Sequence, residues 1–210
     1  MLPQNRECTW WPALASSLLT AASLFKTSSK ELYRQPLECL IAALPLIIVG
    51  NLAITLFNNR NGYGSLPLII RCLASGLVLT AVIHGFTVLL GASLVDKFWS
   101  TLSFSALVAN ITVFSVVNQL GITQSELYVR VFMQHRPSSN AEVAAYMQTI
   151  SILIGAWLGA IVIPLDWERP WQRWPVSCVL GALLGQAVGA VGTIVLYLMP
   201  ESEEDKRKDE

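Results

Sequence analysis

Asp166 and Glu168 stand two residues apart in the segment LDWERPWQRWP, with Arg169 and Arg173 beside them. Two carboxylates so placed could act as a proton donor and a proton acceptor. Next to two guanidinium groups, the expected role is instead a local ion-pair cluster that fixes the loop. Little else in the chain resembles a reaction centre. HExxH, GxSxG and a glycine-rich phosphate loop are absent, and His135 is the only histidine outside the long apolar runs. A metal-dependent phosphotransferase would need several carboxylates and histidines converging on one place. The sequence therefore predicts no catalytic residue, no metal ligand and no cofactor of its own.

Polar groups within the apolar runs are the next place to look for chemistry or transport. His84, Asn110, Asn118 and Gln186 are the notable ones, and an ionisable group in a membrane span marks a functional candidate by default. A single histidine without an acid or a second histidine is a poor proton relay, so interhelical hydrogen bonding is the expected use of all four. Arg71 lies near the start of its run and can snorkel, and Glu38 sits at a helix start, where the dipole favours an acid. Cys8, Cys39, Cys72 and Cys178 form no CxxC pair and have no histidine at metal spacing. With a net charge of zero there is no basic stripe to displace counterions from a phosphate backbone, which argues against nucleic acid as a partner.

The elements that position these residues are read from length and charge. Mean hydropathy is +0.53, with 53% apolar and 13% charged residues, the composition of a polytopic membrane protein. Met147 to Leu165 and Val176 to Met199 carry no charge, and each is about as long as the roughly 20 residues that cross a bilayer. Separated by a short loop, they read as a transmembrane hairpin. Further spans are expected at 10–25, 37–57, 66–91 and 98–121, giving an all-α transmembrane bundle of about six spans over residues 1–200 and a charged tail at 201–210. The first span is the weakest, since a signal peptide would have similar length. Its flank, Arg6 beside Glu7, is not clearly basic, so it is expected to stay as a span.

Charge bias does not orient the bundle: seven basic residues fall on one side of the six spans and six on the other. The closing KRKDE places Lys206 and Lys208 where a dilysine retrieval signal for the endoplasmic reticulum would stand, and the alternative is a solvated tail. A working signal would put both termini in the cytosol and the tryptophan loop in the lumen.

Two features could receive a partner. Gly155 and Gly159 form GxxxG in the fifth span, and Gly181, Gly185 and Gly189 form a double repeat in the sixth. Glycines four apart open a groove for close helix approach, either to a partner's helix or to each other. In the loop, Pro164, Pro170 and Pro175 stiffen the chain. Trp167, Trp171 and Trp174 would share one face if the segment were helical, directed at the bilayer boundary or at a partner. Tryptophan with arginine is also the composition of a protein-binding hot spot.

The run GAWLGAIVIPLDWERPWQRWPVSCVLG, Gly155 to Gly181, closely resembles the signature hairpin of the PIG-F family of glycosylphosphatidylinositol-anchor synthesis, and LLGASL at Leu89 to Leu94 resembles a second short motif. The resemblance implies a non-catalytic, multi-pass protein of the endoplasmic reticulum membrane. Its partner would be a large multi-pass ethanolamine phosphate transferase, which adds phosphoethanolamine to mannoses of the anchor precursor and supplies the metal-dependent active site. This chain would bind and stabilise it among membrane lipids. Candidate partner-binding residues are Gly155, Gly159, Asp166, Trp167, Glu168, Arg169, Pro170, Trp171, Gly181, Gly185 and Gly189. A small lipid transporter or scramblase supplying donor or precursor lipid is the alternative, and direct catalysis by Asp166 or Glu168 is a third reading.

Overall fold

The computed structural model describes residues 9–26, 32, 34–59, 64–93, 95–121, 125–165 and 169–198. Within them the chain is all-helical. Six long helices follow in order: α1 (Trp11–Lys26), α2 (Pro36–Phe57), α3 (Ser65–Leu89), α4 (Phe98–Leu120), α5 (Asn140–Ile161) and α6 (Val176–Leu198). A short helical segment, Ser125–Tyr128, runs into a π-helical turn at Val129–Met133 before α5. Helices α2 to α6 are long and apolar enough to cross a membrane, and α1 has 16 residues. The tail with Lys206 and Lys208 lies outside the described residues, as do Cys8 and the loop residues Asp166, Trp167 and Glu168.

Helix α4 is the axis of the bundle and touches each of the other five. Of its 23 residues, 18 are buried. It can be surrounded because many of its side chains are small, among them Thr101, Ser103, Ser105, Ala109, Thr112 and Ser115. Hydroxyls in such places are partly satisfied along their own helix. Ser105 Oγ donates to the Thr101 carbonyl at 2.8 Å, and Thr20, Thr55, Thr80, Thr149 and Thr193 make the same bond four residues back. Around α4, Leu24, Leu40, Ile47, Phe104, Leu107, Ile111, Ile152 and Val179 form the main apolar core.

Helix ends follow local chemistry. Pro36 occupies the first turn of α2, where its missing N–H costs nothing, and Glu38 lies in that turn. Helix α3 stops in a Schellman motif: Gly91, at φ 107°, donates to the Val88 carbonyl at 3.0 Å, and Ala92 donates to the Thr87 carbonyl at 3.1 Å. The central glycine of LLGASL is therefore a helix terminator.

Helix α5 starts at Asn140, not at the expected Met147. The extra turns are capped by Ser139, whose Oγ accepts from the Glu142 amide at 3.3 Å. Glu142 itself is buried yet fully engaged. It pairs with Arg130 and accepts from the Ser138 amide at 2.8 Å and the Ser138 hydroxyl at 3.2 Å. The same helix ends at Ile161, three residues before Pro164, as expected where proline disfavours helix in its predecessor.

Candidate functional site

Helices α5 and α6 form the most extensive helix pair in the molecule, and the five motif glycines lie at its contact. A Cβ on Gly159 would sit 2.7 Å from Cys178 Cα, and one on Gly185 would sit 3.0 Å from Ile152 Cα. A Cβ on Gly155 would sit 3.0 Å from Gly185 Cα, one on Gly181 3.2 Å from the Gly159 nitrogen, and one on Gly189 2.8 Å from Gln148 Cα. Backbone thus meets backbone along the hairpin. At the end away from the loop, Gln148 Nε2 donates to Thr193 Oγ1 at 2.8 Å, a polar clasp in an apolar setting. The glycine faces serve each other, so a partner helix could reach them only by parting α5 from α6.

The loop is held by a residue that spacing did not single out. Gln172 is buried, and its amide closes the loop on itself. Its Nε2 donates to the Val162 carbonyl at 2.8 Å and the Leu165 carbonyl at 2.5 Å, while its Oε1 accepts from the Arg169 amide at 2.9 Å. A glutamine offers both a donor and an acceptor, which is what this turn requires. The only hint in the sequence is its place two residues after Pro170, which opens a 3-10 turn at Pro170–Gln172.

Trp171 and Trp174 do not lie on one helix, because Arg169 and Arg173 have extended backbone on either side of the short turn; Trp167 lies outside the described residues. Trp174 turns inward: its Nε1 donates to Thr101 Oγ1 at 3.1 Å, and its ring meets Phe104 edge-on at 5.4 Å. The Trp174–Pro175 peptide is cis. Trp171 is half-buried against Leu32, Cys39 and Val176. Arg173 Nη1 donates to the Arg34 carbonyl at 3.0 Å, tying the loop to the segment before α2. Arg169 and Pro170 are exposed, next in sequence to the undescribed Asp166, Trp167 and Glu168, as are Pro164, Leu165 and Arg173. Among the described residues, neither Arg169 nor Arg173 is in an ion pair.

The polar residues within the helices are spread over separate contacts. Gln186 Nε2 donates to Ser16 Oγ at 3.0 Å, joining α6 to α1. Asn110 donates to the Ala106 carbonyl at 2.7 Å in its own helix and packs against Gly76 of α3. Asn118 contributes its backbone carbonyl, which accepts from Asn58 Nδ2 at 2.9 Å. His84 stacks edge-on against Phe98 at 5.1 Å. Among the described residues no three His, Cys, Asp or Glu gather as a metal site.

The connections reveal which segments share an end. Asn58 and Gln119 reach across one end of the bundle, the latter donating from Nε2 to the Thr9 carbonyl at 2.6 Å, and Trp10 lies 6.3 Å from Tyr197. The hairpin loop, Arg34 and the start of α4 meet at the other.

Comparison with known proteins gives this hairpin a context. The mouse and human proteins named "GPI ethanolamine phosphate transferase, stabilizing subunit" are each 38% identical over 122 residues, 58% of this chain and 55% of theirs. The chain therefore aligns with about half the length of these relatives. "Glycosylphosphatidylinositol anchor biosynthesis protein 11" of Yarrowia lipolytica is 31% identical over 178 residues, covering 81% of this chain and 76% of that one. No solved structure matches. A family model described as "GPI biosynthesis protein family Pig-F" spans residues 15–194, from α1 into the last turns of α6, and with the Yarrowia match it makes this chain a member of that family.

Proposed function

We propose that this chain is a non-catalytic membrane subunit that binds and stabilises an ethanolamine phosphate transferase of anchor synthesis in the endoplasmic reticulum. The observation that carries the reading is the 38% identity to relatives named as stabilizing subunits. The hairpin is a physically suitable clasp. Its glycine contact and the Gln172 staple make a stiff platform, and Arg169 and Pro170 stand outward at its tip with Asp166, Trp167 and Glu168 beside them in sequence. Gly155, Gly159, Gly181, Gly185 and Gly189 then act indirectly, by holding the platform closed. A partner that binds only when folded is stabilised by mass action.

In this reading both termini face the cytosol, Lys206 and Lys208 serve retrieval, and the loop faces the lumen. Support for the grouping comes from the shared end of Thr9, Asn58 and Tyr197. The lipid-transporter alternative needs a polar path through the bundle, whereas Asn110, Gln148 and Gln186 sit at separate helix contacts.

Arg169→Glu should lower recovery of the transferase with this subunit, and the transferase's steady-state level, by at least several-fold. Arg136→Glu, an exposed charge next to the π-helical turn and away from the hairpin tip, should not. Equal effects of the two reversals would remove the hairpin tip from the interface.

A further inference from the structure

At the loop end of the bundle, a cleft of about 330 Å³ opens where α2 and α4 begin and the hairpin loop crosses them, lined by Glu38, Lys97, Ser100, Arg173 and Trp174 among others. We propose that this cleft holds a phospholipid headgroup that combines a phosphate ester with a primary amine.

Charge is the main argument. Lys97 comes from the residue before α4, Arg173 from the loop, and Glu38 from the first turn of α2, so three separate elements bring two cations and one acid to one small space. Among the described residues none of the three is in an ion pair. A simple anion would answer Lys97 and Arg173 and be repelled by Glu38. A simple cation would do the reverse. A zwitterion satisfies all three, its phosphate on the guanidinium and ammonium groups and its amine on the carboxylate. A quaternary amine has no N–H to give Glu38, so the primary amine is preferred.

Place and size agree. The first-turn N–H groups of α2 and α4 point to this end of the bundle, and neither Gln35 nor Lys97 caps its helix with a side chain, which adds partial positive charge. The cleft lies where apolar helices end and Trp174 lines one wall, a location reached by a lipid whose tails stay beside the bundle. Its volume is at the small end for ligand pockets, suited to a headgroup and not to a whole lipid.

The test uses the full chain purified in detergent micelles and fluorescent phospholipids that share acyl chains but carry ethanolamine, choline or glycerol headgroups. The ethanolamine lipid should bind most tightly. Lys97→Ala with Arg173→Ala should weaken binding of all three by about tenfold or more. Glu38→Gln should abolish the preference for ethanolamine over glycerol while leaving the glycerol lipid bound. Displacement by soluble phosphoethanolamine would assign recognition to the headgroup in either form, and failure to displace would assign it to the lipid-borne ester. Equal binding of all headgroups, unchanged in both variants, would overturn the proposal. The same variants retain Arg169, so transferase recovery is scored separately and a failed interface is not mistaken for an empty cleft.

Discussion

The α5–α6 hairpin and helix α3 show two ways in which equally apolar helices join a bundle. In the hairpin, backbones meet directly through five glycines. Helix α3 rests on α4 mainly through a stripe of Leu68, Cys72, Gly76 and Thr80, spaced by four, with Leu79, Ile83 and His84 half-buried beside it, and turns most of its remaining surface outward. Leu77 and Phe86 are 73% and 64% exposed there. In lipid such side chains gain little by being covered, because acyl chains are as apolar as leucine. Shape therefore fixes the hairpin, while α3 is held by a narrow seam.

The sharpest way to break the contrast is Gly185→Leu. The added side chain would press on the Ser151 and Ile152 backbone, and overpacking that no rotamer can relieve should cost on the order of 3 kcal/mol or more. Thermal unfolding of the purified chain, followed by tryptophan fluorescence, should lose its cooperative transition or shift far downward. An unchanged midpoint would mean that the two helices do not meet on this face.

A smaller effect is expected from Gln172→Ala. It strands the Leu165 carbonyl and the Arg169 amide and leaves the Val162 carbonyl with only the Leu165 amide, a loss of about 1–3 kcal/mol confined to the loop. Hydrogen exchange at the Arg169 amide should accelerate while the middle of α5 keeps its protection. Uniform acceleration would show that loop and hairpin open together. The least effect is expected from Gly85→Leu in α3, where nothing lies within 4 Å of the missing Cβ. Its midpoint should stay within about 0.5 kcal/mol of the parent, since a surface change outside caps and cores rarely exceeds that. A large loss would reveal a covered face on α3.

Much of the architecture was legible because the physics is one-dimensional. Absence of charge over a bilayer's length located the long helices, and glycine spacing announced close helix approach. Both arguments need only residue order. A shared tryptophan face required one continuous helix, a condition that spacing alone could not establish; extended backbone at Arg169 and Arg173 breaks the segment and Trp174 turns towards Thr101. The start of α5 was placed late because the span was begun at Met147, inside an uncharged run that opens at Val143, and the turns around Glu142 were left out. Glu142 is accommodated there by its ion pair with Arg130 and by two hydrogen bonds from Ser138. The pattern Ser139-x-x-Glu142 is a capping-box signature and would have moved the boundary. Gln172 was not legible from spacing, since its role depends on carbonyls that come near only after the chain turns.

The backbone-to-backbone seam of the hairpin also limits how the chain can change. A crowded side chain can swing to another rotamer when a neighbour grows, but a peptide carbonyl within a helix has no such freedom. Drift on the outer surface of α3 can exchange one aliphatic for another with little consequence. At Gly155, Gly159, Gly181, Gly185 and Gly189 even a single methyl would have to be accommodated by moving a whole helix.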